Sequence, residues 1–313
     1  MSSNKKNQLK LIIVTGPTAS GKTSLATKLA YDIDSEIISA DSRQIYKGMN
    51  IGTGKDLNEY NINNKTINYH LIDILDPMTD YSVYDFQKDF YSAYQKIQLK
   101  NKIPILCGGT GLYVESTLLE YDLSSKPPPN RKLRFELEEL DKEDLLKMIN
   151  SLTTPKTREN LLLETRKQIM RNIEIIKNED SGSGFKLEPM RDHAIVFATQ
   201  VDTQLLREKI KQRLIQRIDE GMIEEVEHLI DNGLPLQRLE YFGLEYKFVG
   251  RFLKSEITKE ELITTLTTSI RKFAKRQRTW FRRMEKRGII INWIDPHDYP
   301  RLKELVNQYI DES

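Results

Sequence analysis

Eight residues, Gly16-Pro17-Thr18-Ala19-Ser20-Gly21-Lys22-Thr23, constrain this chain more than any other segment. They fit the spacing G-x-x-x-x-G-K-[ST], and their setting is the required one. An apolar β-branched run, Leu9 to Thr15, precedes them, and Gly21 to Tyr31 carries Leu25, Ala26, Leu29 and Ala30 at helical spacing. Strand, glycine-bearing loop and helix in that order make a phosphate cradle. Backbone N–H groups wrap the anion, the helix N-terminus adds positive potential, Lys22 supplies a point charge and Thr23 can hold Mg2+. Gly16 to Thr23 are therefore the candidate phosphate ligands, with Thr23 the candidate metal ligand. The cradle is blind to what its phosphates are esterified to. Nucleotide binding by a kinase or ATPase, ATP included, and the chemistry of a diphosphate-using transferase all stay open at this point.

The rest of the chain reads as alternating strands and helices. Glu36 to Ala40 is a second strand, Tyr69 to Ile74 a candidate third, Val83 to Leu99 a helix, and Ile103 to Cys107 a strand flanked by Pro and Gly-Gly. Such alternation predicts a parallel sheet covered on both faces. Between Tyr121 and about Met190 the character changes. The stretch opens with Ser124-Ser125-Lys126-Pro127-Pro128-Pro129, continues as charged amphipathic helices and closes with Ser181-Gly182-Ser183-Gly184. His193 to Val201 resumes a buried strand, Asp202 is a candidate N-cap for a helix from Thr203 to Ile218, helices continue to Arg287, and Gly288 to Trp293 is a last strand. The expectation is an α/β fold: a P-loop NTPase-like parallel-sheet core, residues 1–122 and 191–313, with an inserted all-helical subdomain, residues 123–190, and a helical C-terminal region.

Composition limits the partners. Forty-eight Lys and Arg against 46 Asp and Glu leave a net charge of +2, so a polyanion must be held by a local patch. The densest patch is Arg271 to Arg287, where Arg271, Lys272, Lys275, Arg276, Arg278, Arg282, Arg283, Lys286 and Arg287 face one acid, Glu285. A stripe of these charges, with Phe273, Trp280 and Phe281 packed inward, would suit a phosphate backbone. The single cysteine, Cys107, excludes an intrachain disulfide and any zinc site built on several thiolates. The apolar run at Leu9 to Val14 is too short for a signal segment or a membrane span, so a soluble, cytoplasmic protein is expected.

A second constellation follows the second strand: Asp41-Ser42-Arg43-Gln44-Ile45-Tyr46-Lys47-Gly48-Met49-Asn50-Ile51-Gly52-Thr53-Gly54-Lys55. Ligands of an open α/β sheet bind at the carboxyl ends of its strands, which puts Asp41 opposite the phosphate loop. It could accept a proton, hold metal, or simply cap the following turn. Together with the loop, this stretch closely resembles the tRNA dimethylallyltransferase family. The resemblance runs nearly the whole chain, through His70-Leu71-Ile72-Asp73, Tyr81-Ser82-Val83-Tyr84-Asp85-Phe86, Pro104 to Tyr113, Gly221 to Val226 and Ala274 to Arg282.

The resemblance implies a reaction and roles. The loop would hold the diphosphate of dimethylallyl diphosphate, with Mg2+, while N6 of the adenosine beside the anticodon displaces it at the allylic C1. Asp41 would be the general base, Arg213 a stabiliser of the leaving diphosphate, and Thr110 a hydrogen-bond donor near the reacting centre. Seen without the resemblance, Arg213 is an ordinary helix charge and Thr110 an N-cap after Gly108-Gly109. The family's tRNA contacts map onto Asp41, Ser42, Arg43 and Gln44, onto Lys167, Gln168, Ile169, Met170 and Arg171, onto the Gly243 region, and onto Lys132 or Arg134 at the entry of the insertion. That insertion would clasp the anticodon stem-loop of tRNA, and a monomer is expected. The chain departs from the family's pattern at Asn160 to Thr165, where His-Pro-Asn-Asp is usual, and at Gly243-Leu244-Glu245-Tyr246. The rivals are an adenylate isopentenyltransferase acting on free nucleotide and a P-loop kinase.

Overall fold

The computed structural model describes residues 10–119, 130–159, 161–178 and 189–311, and of Arg131 the backbone alone. The Ser124 to Pro129 and Ser181 to Gly184 linkers and Asn160 lie outside the described residues. The chain divides into two compact units, Met1–Leu119 with Pro189–Ser313, and Glu120–Glu188.

In chain order the first unit opens with β1 (Leu11–Thr15), α1 (Lys22–Asp32), β2 (Ile37–Ser39), β3 (Asn61–Ile62), β4 (Lys65–Thr66), β5 (Tyr69–His70), α2 (Val83–Gln98), β6 (Ile105–Gly108) and α3 (Gly111–Leu118). The second unit holds α4 (Arg131–Glu138), α5 (Lys142–Leu152), α6 (Pro155–Arg158) and α7 (Arg166–Lys177). The first resumes with β7 (Ala194–Thr199), α8 (Thr203–Asp219), α9 (Met222–Asp231), α10 (Leu244–Leu253), α11 (Lys259–Lys286), β8 (Ile291–Ile294) and α12 (Tyr299–Asp311). Strands β5, β2, β6, β1, β7 and β8 form one parallel sheet in that order.

Buried side chains cover both faces of the sheet. On one, Ile13, Leu106 and Val196 pack with Phe86 and Phe90 of α2, Val114 of α3 and Phe281 of α11. On the other, Ile12, Val14 and Cys107 pack with Leu25 and Leu29 of α1 and Leu302 and Val306 of α12. A third cluster joins α8 to α11 through Ile210, Leu214, Leu262 and Leu266, and takes in Tyr46 and Met49 from the stretch after β2. The second unit has its own core of Leu137, Leu145, Ile149, Ile169, Met170 and Ile173.

Local chemistry explains several boundaries. Ser82 caps α2 in a reciprocal box with Asp85, Thr258 does the same for α11 with Glu261, and Asp202 caps α8 by accepting from the N–H groups of Gln204 and Leu205. Asn63 and Asn64, at φ 50° and 62°, make the left-handed two-residue turn that closes the β3–β4 hairpin. The candidate strand Tyr69 to Ile74 is shorter than expected. Leu71 (φ 63°) and Asp73 (φ 56°) leave the extended region, so β5 stops at His70. Helix α12 has no counterpart in the sequence expectations, and the last strand begins three residues later than Gly288. Phe273 also differs: it is exposed on α11, whereas Phe281 is fully buried and Trp280 partly so.

Candidate active site

The phosphate loop is held from both sides of β1. Thr15 Oγ1 donates to the Gly108 carbonyl of β6 (2.7 Å), while Ser20 Oγ donates to the Pro17 carbonyl (2.8 Å) and meets Thr199 Oγ1 of β7 (2.5 Å). Gly16 has φ 153°, and a Cβ there would stand 1.9 Å from Thr199 Oγ1, so no other residue lets the loop leave β1 this close to β7. Gly21 then enters α1 at φ 84° without a side-chain cap, leaving the first-turn N–H groups open. The Thr23 hydroxyl has no partner among the described residues. Burial lowers the Lys22 ammonium below the usual lysine value; of the charged groups near it, Arg213 lowers it further and Asp41 raises it. The Cys107 thiol, pushed up to about 12 by burial, stays neutral.

Arg213 and Arg217, one turn apart on α8, reach the same place. With Thr18, Ala19 and Glu245 they line one small cavity beside the loop. Asp56 Oδ2 lies 3.3 Å from Arg213 Nη2 and 3.5 Å from Arg217 Nη2. That pairing leaves Arg213 Nε and Arg217 Nη2 buried without a hydrogen bond. Buried guanidinium donors are costly to leave unmade, and an anion at the loop would satisfy them. The approach depends on Gly54, where a Cβ would stand 1.6 Å from Arg217 Nη2. Burial holds the Glu245 carboxyl above the usual range, with the Arg217 charge opposing it.

Asp41 and Thr110 face the loop across the strand ends. Ala40 N donates to the Cys107 carbonyl (2.7 Å) and Thr110 N to the Ala40 carbonyl (3.1 Å), which joins the ends of β2 and β6. Gly108 permits the contact, since a Cβ there would lie 2.4 Å from Ala40 backbone. Asp41 Oδ1 accepts from Arg43 N (2.9 Å), a turn-capping bond, and Oδ2 has no partner among the described residues. Thr110 stands at the N-cap position of α3, yet its side chain does not cap. Its Oγ1 accepts from Ser42 N (3.1 Å) and lies 3.4 Å from Ser42 Oγ. The arrangement offers a carboxylate oxygen, a hydroxyl and an anion cradle at one sheet edge.

The expected nucleic-acid contacts divide. Arg43 lies over the Tyr241 ring (5.0 Å) beside Gly243, whose φ of 115° requires glycine. Gln44 is braced at both ends, accepting from Ser39 Oγ and donating to the Gly54 carbonyl. In the second unit Lys132 and Lys167 are exposed. Arg134 instead makes a two-bond pair with the buried Glu174, which Arg171 also joins. Gln168 completes the capping box of α7, and Ile169 and Met170 are core residues. Those two side chains pack inward, because hydrophobic burial claims that face of α7. On α11, Arg283 and Arg287 neutralise the buried Glu115, whereas Lys272, Lys275, Arg282 and Lys286 fall on one exposed stripe without partners among the described residues.

Three site residues escaped the sequence reading: Arg217, Asp56 and Gln277, whose Oε1 accepts the N–H of Thr18 in the loop (2.9 Å), while Glu245 was read only as part of the Gly243 contact region. Arg217 alone carried a signal, its i+4 spacing from Arg213.

Comparison with known proteins gives a consistent result. A family model described as IPP transferase matches residues 44–284, and one described as isopentenyl transferase matches residues 9–70. A protein named tRNA dimethylallyltransferase 2 from Bacteroides fragilis is 46% identical over 285 residues, covering 91% of this chain and 92% of its own. One named tRNA dimethylallyltransferase 1 from Syntrophus aciditrophicus is 45% identical, covering 94% and 96%. The crystal structure of a full-length tRNA isopentenylpyrophosphate transferase from Bacillus halodurans superposes with a TM-score of 0.70 at 30% identity, covering 97% of each chain.

Proposed function

The chain belongs to the tRNA dimethylallyltransferase family, and from that premise we propose the following reading of its site. The enzyme transfers the dimethylallyl group of dimethylallyl diphosphate to N6 of the adenosine 3′ of the anticodon in tRNA. The N6–C1 bond forms, the C1–oxygen bond breaks, diphosphate leaves, and the N6 proton goes to a base. One observation carries the reading: two buried guanidinium donors without hydrogen bonds stand at the phosphate loop, on the strand edge that also presents Asp41.

Each residue has a task that its surroundings support. N6 is a poor nucleophile because its lone pair is delocalised, so Asp41 Oδ2 takes its proton as carbon bonds. Lys22, Arg213, Arg217 and the loop N–H groups stabilise the charge that grows on the leaving diphosphate, and Thr110 Oγ1 can turn its proton towards the bridging oxygen. Mg2+ fits the donor set as an ion carried on the diphosphate. The free Thr23 hydroxyl is a hard oxygen ligand, and no group of three acidic or imidazole ligands gathers among the described residues. When bound, the ion would neutralise diphosphate charge.

For tRNA, the exposed stripe of α11 and the exposed Lys132 and Lys167 serve as phosphate contacts, and Ser42, Arg43 and Gly243 flank the extracted base. The insertion, residues 123–190, is the RNA-clasping part, and the reaction runs in the cytoplasm on a monomer. No helix among the described residues is long and apolar enough to cross a membrane. The test is incubation with labelled dimethylallyl diphosphate, Mg2+ and unmodified tRNA, followed by nucleoside analysis, with AMP and ATP in parallel. Label on N6 of the adenosine beside the anticodon is expected. Label on AMP alone would move the enzyme to free nucleotides, and ATP turnover without transfer would make it a kinase.

A further inference from the structure

One buried amide in the core has no place in the steps above. Gln277, on α11, is 7% exposed, and its side chain joins two separate parts of the site. Its Oε1 accepts the N–H of Thr18 in the phosphate loop (2.9 Å), and its Nε2 donates to the carbonyl of Gly109 (2.8 Å), the residue before Thr110. Gly109 makes room for it, since a Cβ there would stand 2.5 Å from Nε2. A carboxamide supplies a donor and an acceptor from a single rigid plane and carries no charge at any pH. Gln277 also consumes the Thr18 N–H, so that group shapes the loop and is not offered to a ligand.

We propose that Gln277 is a positioning residue for prenyl transfer. It fixes the distance between the phosphate loop, which holds the leaving group, and the Thr110 turn, which faces the reacting centre. It does so from the helix that carries the exposed cationic stripe. The inference rests on the transferase reading. A loop held in shape before the ligand arrives reorganises little during the reaction, which is how such a tie acts on rate without touching substrate.

Two variants test it. Gln277→Leu keeps the volume and removes both hydrogen bonds; Gln277→Glu keeps the acceptor, and regains the donor only when its carboxyl is protonated. Three quantities are measured: affinity for inorganic diphosphate by calorimetry, affinity for tRNA by filter binding, and the KM for dimethylallyl diphosphate from steady-state transfer at saturating tRNA. For Gln277→Leu, the diphosphate Kd and the KM for dimethylallyl diphosphate rise by about tenfold, while the tRNA Kd stays within about twofold of wild type. For Gln277→Glu, the KM relative to wild type at the same pH falls as pH is lowered. That recovery would not follow from packing alone, and it decides the matter should the leucine variant fail to fold. Loss confined to tRNA affinity, or wild-type diphosphate binding with a flat relative pH profile, would overturn the inference. Should the wild-type enzyme transfer no prenyl group, the transferase reading fails instead, and the diphosphate titration still reports on the tie.

Discussion

Asp56 is the counter-charge of Arg213 and Arg217 at the proposed anion subsite, and replacing it by asparagine isolates that role. Its backbone sits at φ 46°, a left-handed conformation that asparagine tolerates, so Asp56→Asn removes charge and leaves the chain path intact. Its carboxylate lies 3.3 and 3.5 Å from the two arginines and is 40% exposed. At such distances Coulomb's law gives about 1 kcal/mol per pair in bulk water and about 5 at an effective dielectric of 20. Solvent screening of a carboxylate this exposed brings each pair down to between roughly 0 and 1 kcal/mol. Two pairs then amount to about 1 kcal/mol, which an incoming diphosphate must offset when it takes over the guanidinium groups. The variant should therefore bind inorganic diphosphate about fivefold more tightly, since about 1.4 kcal/mol is tenfold. Calorimetric titration at fixed ionic strength measures this directly. Unchanged or weaker binding would refute the reasoning and make Asp56 the group that arranges the arginines for the ligand.

Three further outcomes follow from the same geometry. Asp41→Asn should abolish prenyl transfer while inorganic diphosphate still binds at wild-type affinity; transfer at the wild-type rate would remove Asp41 as the base. Diphosphate affinity should fall as pH rises through the lowered Lys22 value, because the anion favours the charged ammonium and its binding must then take up a proton. Titrations from neutral to alkaline pH check this, and a flat profile would mean Lys22 stays charged throughout. Gly54→Ala should weaken diphosphate binding by tenfold or so, because a methyl group 1.6 Å from Arg217 Nη2 and 2.4 Å from Arg213 Nη2 displaces both donors. Circular dichroism and the same titration separate this from unfolding.

Much of the site was legible because its chemistry is local. Residues 16–23 and Asp41 each follow a strand directly, so recognising β1 and β2 was enough to place them at the carboxyl edge of the sheet. Asp202 as a cap was readable for the same reason. Long-range contacts were not. Gln277 is 259 residues from Thr18, and nothing in a run of basic residues marks one amide as buried. Phe273 shows the converse error, an aromatic taken as inward-facing when the helix phase turns it to solvent. In the second unit, Ile169 and Met170 look like part of a contact strip in one dimension, and packing against Leu145 and Ile149 turns them inside.

The sequence by itself determined the alternation of strands and helices, the phosphate cradle and its lysine, and the capping of α8, all set by hydrophobic period and by residues within a few positions of one another. Tertiary structure alone decided which charges are free to act. It buried Glu115 under Arg283 and Arg287, committed Arg134 to Glu174, and left Arg213 and Arg217 with donors to spare beside the loop. Ionic and hydrogen-bond partners are assigned by where the chain brings distant segments together. Only folding makes that assignment, because desolvation and distance, which fix the worth of each charge, exist only in three dimensions.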